Sequence, residues 1–198
     1  MRITRREFIA ASAAAAITVT KAARSVPQAS DDAHAATPVW RQFKGDARRT
    51  GRSTLQGPLD PQPRWHTDIT PIQSPMSVNA RGTVYFAGNT GAVYAYRLSG
   101  DRLWVRTVAH SYVTGGTAIL QDGSILVVAE TGRAVCYSPD GTAQWIFDLQ
   151  DYSGPSSAPL VASDGTIYMG NQSGLFALHP DGSPKWHHPT ARVSGPPA

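Results

Sequence analysis

The chain has 198 residues, 41% hydrophobic and 16% charged, with a formal net charge of +4. That length suits one ordinary domain, and the mild positive balance gives no argument for nucleic-acid binding. The single cysteine, Cys136, excludes an internal disulfide and any zinc pattern built on paired cysteines.

Residues 1–35 read as an export signal. Thr4-Arg5-Arg6-Glu7-Phe8-Ile9 resembles the twin-arginine translocation motif, with an arginine pair followed by Phe and a second apolar residue. An alanine-rich stretch runs from Ile9 to Thr20, and Lys21 and Arg24 follow it. Ala33-His34-Ala35 offers a small-x-small cleavage site, so the mature chain is expected to start at Ala36. The apolar stretch is about 12 residues, short of the roughly 20 that a spanning helix needs, so no stable membrane span is expected in the mature chain. Arg5 and Arg6 then act as an address and take no part in the mature function.

Residues 36–63 read as a lead-in. Arg41, Lys44, Arg48, Arg49 and Arg52 crowd basic charge into it. They are either an anion contact or a solvated turn before the first repeat, and the turn is the simpler expectation. Pro58 to Pro63 is an irregular connector. Arg64-Trp65-His66-Thr67 then looks like a lone outer strand.

Three similar units follow, at about 74–108, 116–149 and 157–190. Gly82 to Trp104, Gly123 to Trp145 and Gly165 to Trp186 share one order: a β-rich run, a glycine turn, a second run, another glycine turn and a tryptophan. Trp104, Trp145 and Trp186 stand 41 residues apart, and Trp65 stands 39 before the first. A period near 40 closed by a tryptophan marks an array of β-propeller blades. Runs rich in Val, Ile, Tyr and Phe fit buried strands, and Asp-Gly between them is a strong hairpin signal. Each unit is therefore expected to be a four-stranded antiparallel meander. Its apolar faces are buried only by stacking on neighbours, with the tryptophan as the blade-docking residue. The fold class is all-β: a propeller with three complete blades plus a lone N-terminal strand at Trp65. Seven or eight such blades would need roughly 290–330 residues, and propellers start at about four. Ser194-Gly195-Pro196 repeats Ser153-Gly154-Pro155 one period on, so the chain is expected to be a fragment of a longer propeller. Two other possibilities are that copies join to close the ring, or that the gene is a remnant whose product does not fold stably.

The units resemble the repeats of PQQ-binding-like β-propeller proteins over about residues 38–198. Ser99-Gly100-Asp101-Arg102-Leu103-Trp104 matches the end of that group's docking motif, whereas Pro139–Gly141 and Pro180–Gly182 replace its Thr-Gly turn. Trp40-Arg41-Gln42-Phe43-Lys44-Gly45-Asp46, followed by Thr50-Gly51-Arg52-Ser53, is similar to the opening segment of such propellers. For a quinoprotein dehydrogenase the resemblance implies PQQ at the centre, a calcium held by acidic and amide side chains, an aspartate base and often a disulfide of adjacent cysteines. Only Glu130 represents glutamate inside the units, and it takes the turn position of Asn89. Asp122, Asp140, Asp164 and Asp181 fall in hairpin turns, where Asp has a structural job.

His66, His187 and His188 follow tryptophans on outer strands, and a metal site would need three or four converging ligands. His110, Tyr112, Asp151 and Tyr152 lie on inter-blade connectors, where binding residues are commonly placed; ordinary connector residues are the simpler reading. Cys136 takes the place of Ala95 and Ala177. It reads as a small core residue, with a reactive thiol as the alternative. No nucleophile turn and no phosphate-binding loop occurs. No catalytic, cofactor or metal residues are assigned. The expected function is an exported binding or scaffold module of the cell envelope. Its partner is an envelope protein or small ligand, and self-association through open blade faces is possible. The alternative is a part of a PQQ-dependent alcohol or sugar dehydrogenase that uses PQQ and calcium.

Overall fold

The structure is a computed structural model that describes residues 39–53, 56–69, 71–149, 157–189 and 193. The export signal with Arg5 and Arg6, and the connector residues Asp151 and Tyr152, lie outside the described residues.

Alternation along the strands and a glycine turn between them build three four-stranded antiparallel sheets. The first holds β1 (Ser77–Val78), β2 (Val84–Ala87), β3 (Ala92–Tyr96) and β4 (Arg102–Thr107) in sequential order. The second holds β5 (Thr117–Ile119), β6 (Ile125–Val128), β7 (Arg133–Tyr137) and β8 (Ala143–Asp148). The third holds β9 (Leu160–Val161), β10 (Ile167–Asn171), β11 (Gly174–Leu178) and β12 (Pro184–His188). Each sheet is the blade expected from the repeat. In all three the ladder between the third and fourth strands slips at the same place, beside Tyr96, Tyr137 and Leu178.

Side chains of a strand alternate between faces, so each blade has two apolar faces. The back face of the first blade carries Tyr85, Ala87, Val93, Ala95 and Trp104, and it packs on Ile125, Val127, Val135 and Tyr137 from the front of the second. The back of the second blade carries Leu126, Val128, Ala134 and Cys136, and it meets Ile167, Met169, Phe176 and Leu178 from the front of the third. Ala87, Ala95, Ala134 and Cys136 leave room beside the indole on the back faces, and Tyr137, Met169, Phe176 and Leu178 are bulky residues of the front faces. That complementarity lets neighbouring sheets interdigitate.

The tryptophans join one blade to the turn of the next. Trp104 Nε1 donates to Pro139 O at 2.9 Å, and Trp145 Nε1 donates to Pro180 O at 3.1 Å. Beneath these rings lie Gly141 and Gly182, both at positive φ. A Cβ would come within 2.8 Å of Trp104 at Gly141 and within 2.5 Å of Trp145 at Gly182. Glycine is required there twice over, for the turn and for the close approach.

The lone N-terminal segment joins none of the three sheets among the described residues, yet its tryptophan makes the same contact. Trp65 Nε1 donates to Leu98 O at 2.9 Å, and the ring lies over Gly100. Trp65, Ile69 and Ile72 thereby cover the front face of the first blade at Phe86, Tyr94 and Tyr96.

Trp104 is only 7% exposed, whereas Trp186 is 42% exposed. Replacing Trp104 with Ala is expected to cost about 3–5 kcal/mol. Gly141→Ala should cost about 1–3 kcal/mol through overpacking. Trp186→Ala should cost about 1 kcal/mol or less, as a largely exposed position. Urea unfolding of the three variants checks that order.

Candidate functional site

The lead-in makes long-range polar contacts with all three blades. Trp40 exchanges two backbone hydrogen bonds with Val78, at 2.9 and 2.8 Å. Arg41 O accepts from Ile119 N at 2.7 Å. The buried Gln42 amide takes both backbone groups of Val161: Oε1 accepts from its N–H at 2.8 Å, and Nε2 donates to its carbonyl at 3.3 Å. Val78, Ile119 and Val161 hold the same register against Val84, Ile125 and Ile167 in their own blades. Three consecutive residues therefore bind the first strands of three consecutive blades at matched points.

A tight loop holds this arrangement. Gly45 N donates to Gln42 O, and Gly51 N donates to Lys44 O. The Asp46 carboxylate accepts from both the hydroxyl and the backbone N–H of Thr50, which hold it below the usual carboxylate range. Arg41, Lys44, Arg48 and Arg52 are exposed, in keeping with a solvated turn. Arg49 departs from that expectation. Its Nη2 reaches Ala158 O at 3.4 Å, its guanidinium lies 5.4 Å from the Phe43 ring, and its Nε and Nη1 are buried without a partner. Burial lowers its pKa, but a guanidinium stays charged. The lead-in is thus a packed element whose Gln42 and Arg49 turn inward, because the first strands of the blades leave backbone groups that need partners. Beside it lies a cavity of about 260 Å³, lined by Arg41, Gln42, Asp46, Ile119, Gln121 and Val161 among others.

The turn aspartates are occupied locally. Asp122 accepts from the N–H and hydroxyl of Ser124, and Asp164 does the same with Thr166. Asp140 accepts from Ser138 Oγ and from Thr142 N at 3.0 Å, and Asp181 accepts from Ser183. These bonds lower the pKa of Asp140, Asp164 and Asp181, so they stay ionised. Glu130 accepts from Thr114 Oγ1 at 3.0 Å. His110 and Tyr112 are exposed on the connector before β5, and His66 is exposed beside Trp65. His187 stacks on Phe176 with centroids 4.0 Å apart, and Nδ1 of His188 faces Pro189 O. No three His, Cys, Asp or Glu side chains converge on a possible metal among the described residues.

Cys136 is fully buried in the second interface. Burial first, and the charge of Asp122 second, push its thiol up to about 12, against a weaker opposing bond from Ser124. It carries essentially no thiolate at neutral pH.

Gln42→Ala removes both partners of Val161 and is expected to cost about 1–3 kcal/mol for each buried group left unpaired. Arg49→Met keeps the packing on Phe43 and removes the unpaired cation, so its unfolding midpoint should equal or exceed that of the parent. Urea titration reads both. Iodoacetamide should label Cys136 in native protein at least 100-fold more slowly than in urea, given the missing thiolate.

Three solved structures share this architecture. BamB from Moraxella catarrhalis aligns at 22% identity with a TM-score of 0.50, over 62% of this chain and 37% of its own. Quinohemoprotein alcohol dehydrogenase from Comamonas testosteroni aligns at 20% identity with a TM-score of 0.62, over 79% of this chain and 28% of its own. A europium-containing methanol dehydrogenase aligns at 18% identity with a TM-score of 0.54, over 75% and 31%. The chain thus spans about a third of the length of each, and at these identities the likeness is one of fold. No curated protein matches the sequence. The family described as Outer membrane protein assembly factor BamB matches residues 32–196, which takes in the lead-in and all three blades, and the chain belongs to that family.

Proposed function

We propose that this chain is part of an exported β-propeller that serves as a binding or scaffold module of the cell envelope. The carrying observation is where the polar residues go. Asp122, Asp140, Asp164 and Asp181 close their own turns, Gln42 binds the backbone of the third blade, and the indoles bind turns of neighbouring blades. Those groups build a stack of sheets, and the description of the family as an outer-membrane assembly factor fits such a role. The connector side with His110 and Tyr112 and the basic lead-in offer surfaces for an envelope protein or a small ligand. Export rests on Arg5 and Arg6 in the segment that resembles a twin-arginine signal.

Two experiments test this reading. Titrating the whole propeller of which this chain is part with PQQ and calcium should give no dye-linked oxidation of alcohols or sugars. Oxidation that depends on added PQQ would replace the scaffold reading with the dehydrogenase one. Changing both Arg5 and Arg6 to Lys should retain the protein in the cytoplasmic fraction, and unchanged export would refute the twin-arginine route.

A further inference from the structure

We infer that Asp122-Gly123 is where this chain modifies itself, closing to a succinimide and reopening as isoaspartate, while contacts between blades hold its three other Asp-Gly steps against that change. This does not depend on what the propeller binds. An Asp-Gly step is open to this chemistry because glycine has no Cβ to screen its nitrogen. The Gly123 nitrogen gives up its proton and bonds to Asp122 Cγ, and the acid form of the carboxyl loses one oxygen as water. Water then adds at either carbonyl of the five-membered ring, and the C–N bond there breaks. Opening at the backbone carbonyl of Asp122 sends the chain through Cβ and Cγ. The turn gains one backbone atom, and the mass is unchanged.

The four steps share their local chemistry. Asp122-Gly123-Ser124 matches Asp181-Gly182-Ser183, and Asp140-Gly141-Thr142 matches Asp164-Gly165-Thr166. In each the glycine N–H donates three residues back, to the carbonyl of Leu120, Ser138, Ala162 or His179, at 2.8 to 3.1 Å. Each carboxylate accepts from the N–H two residues ahead. Attack on Cγ requires the glycine N–H to leave its carbonyl and the turn to rotate, so the rate follows the population of the opened turn. Contacts from outside the turn therefore decide which step reacts.

Three of the turns are clamped at the carbonyl just before the aspartate. Pro139 O accepts from Trp104 Nε1 at 2.9 Å, Pro180 O from Trp145 Nε1 at 3.1 Å, and Ser163 O from Gln121 Nε2 at 2.7 Å. Their glycines are covered as well. A Cβ would come within 2.8 Å of Trp104 at Gly141, 3.0 Å of Pro180 at Gly165 and 2.5 Å of Trp145 at Gly182. The bonds that hold Asp140, Asp164 and Asp181 ionised act in the same direction, because only the acid form loses water.

The turn at Asp122 lacks that clamp. The nearest atom to a Cβ on Gly123 is Pro139 Cγ, at 3.8 Å. The carbonyl before Asp122 is that of Gln121, and the first blade places Ala80 where the second places Gln121: Asn79 N bonds Thr83 O as Leu120 N bonds Ser124 O. A methyl group offers no donor. Asp122 is exposed, so water reaches it. The gap thus belongs to the contact between the first and second blades. Isoaspartate at this position lengthens the turn that carries Gln121, so the change reaches the third blade through Ser163.

Peptide mapping with electron-transfer fragmentation, which distinguishes isoaspartate from aspartate, tests this on the whole propeller of which this chain is part, kept folded and warm at neutral pH. Isoaspartate should build up at Asp122 about tenfold faster than at Asp140, Asp164 or Asp181, the factor that one net hydrogen bond of a clamp corresponds to. In urea the four should react at one common rate. Ala80→Gln supplies the missing amide from an exposed position and should slow Asp122 towards the rate of Asp164, leaving the other sites unchanged. Equal rates at the four sites in folded protein would overturn the inference. So would a lead of Asp122 that persists in urea, or an Asp122 rate that Ala80→Gln does not alter.

Discussion

The contact between an indole and a glycine turn is the constraint on which the three blades depend. It combines a hydrogen bond, a flat apolar surface and a steric limit at one point. Trp104 over Gly141 and Trp145 over Gly182 are separated by the same sequence distance. Trp65 makes the same contact with Gly100 across a span two residues shorter, so the connector between indole and blade takes up small differences in length. The period near 40 is thus the length needed to go round four strands and arrive at the next indole. Arg106 reinforces the first of these contacts by donating to Gly141 O at 2.7 Å while its guanidinium lies 6.0 Å from the Trp104 ring.

The interfaces follow from that anchor. With the indole fixed at the outer strand, small residues must stand beside it, and Ala95 and Cys136 do so opposite Trp104 and Trp145. Cys136 is therefore explained by volume, and its raised pKa is a result of that packing. Buried hydroxyls stitch the layers where the strands are shortest. Ser77 Oγ and Thr117 Oγ1 lie 2.7 Å apart between β1 and β5, and Thr117 Oγ1 also donates to Tyr85 O. Each buried polar group there has its partner, which is what makes its burial tolerable.

The blades were legible in the sequence because their determinants are local. Alternating apolar runs, Asp-Gly turns and evenly spaced tryptophans each lie within one period, and strands, turns and faces follow from them. The contacts of the lead-in were not legible for the opposite reason. Gln42 finds Val161 at a separation of 119 residues, and Arg49 finds Ala158 at 109. No periodicity announces such contacts, and a run of basic residues reads as a solvated turn until the blades beneath it are placed. Trp186 shows a third case. Its local pattern matches that of Trp104, but its exposure depends on a neighbouring sheet, which a tryptophan cannot encode by itself.

The lead-in also changes how the stack behaves as a whole. In a repeat array each unit touches only its neighbours, so stability is a sum of units and interfaces, and the ends can open one at a time. Here residues 40–42 fasten the first strands of all three blades, and Gln42 and Arg49 reach the third blade directly. Peeling the third blade away exposes its interface with the second and also strips partners from Gln42, whose loop is tied to Trp40 and through it to β1. The cost of opening one end is therefore felt at the other. A linear arrangement of blades acquires the cooperativity of a single domain through one short segment that is not part of any repeat.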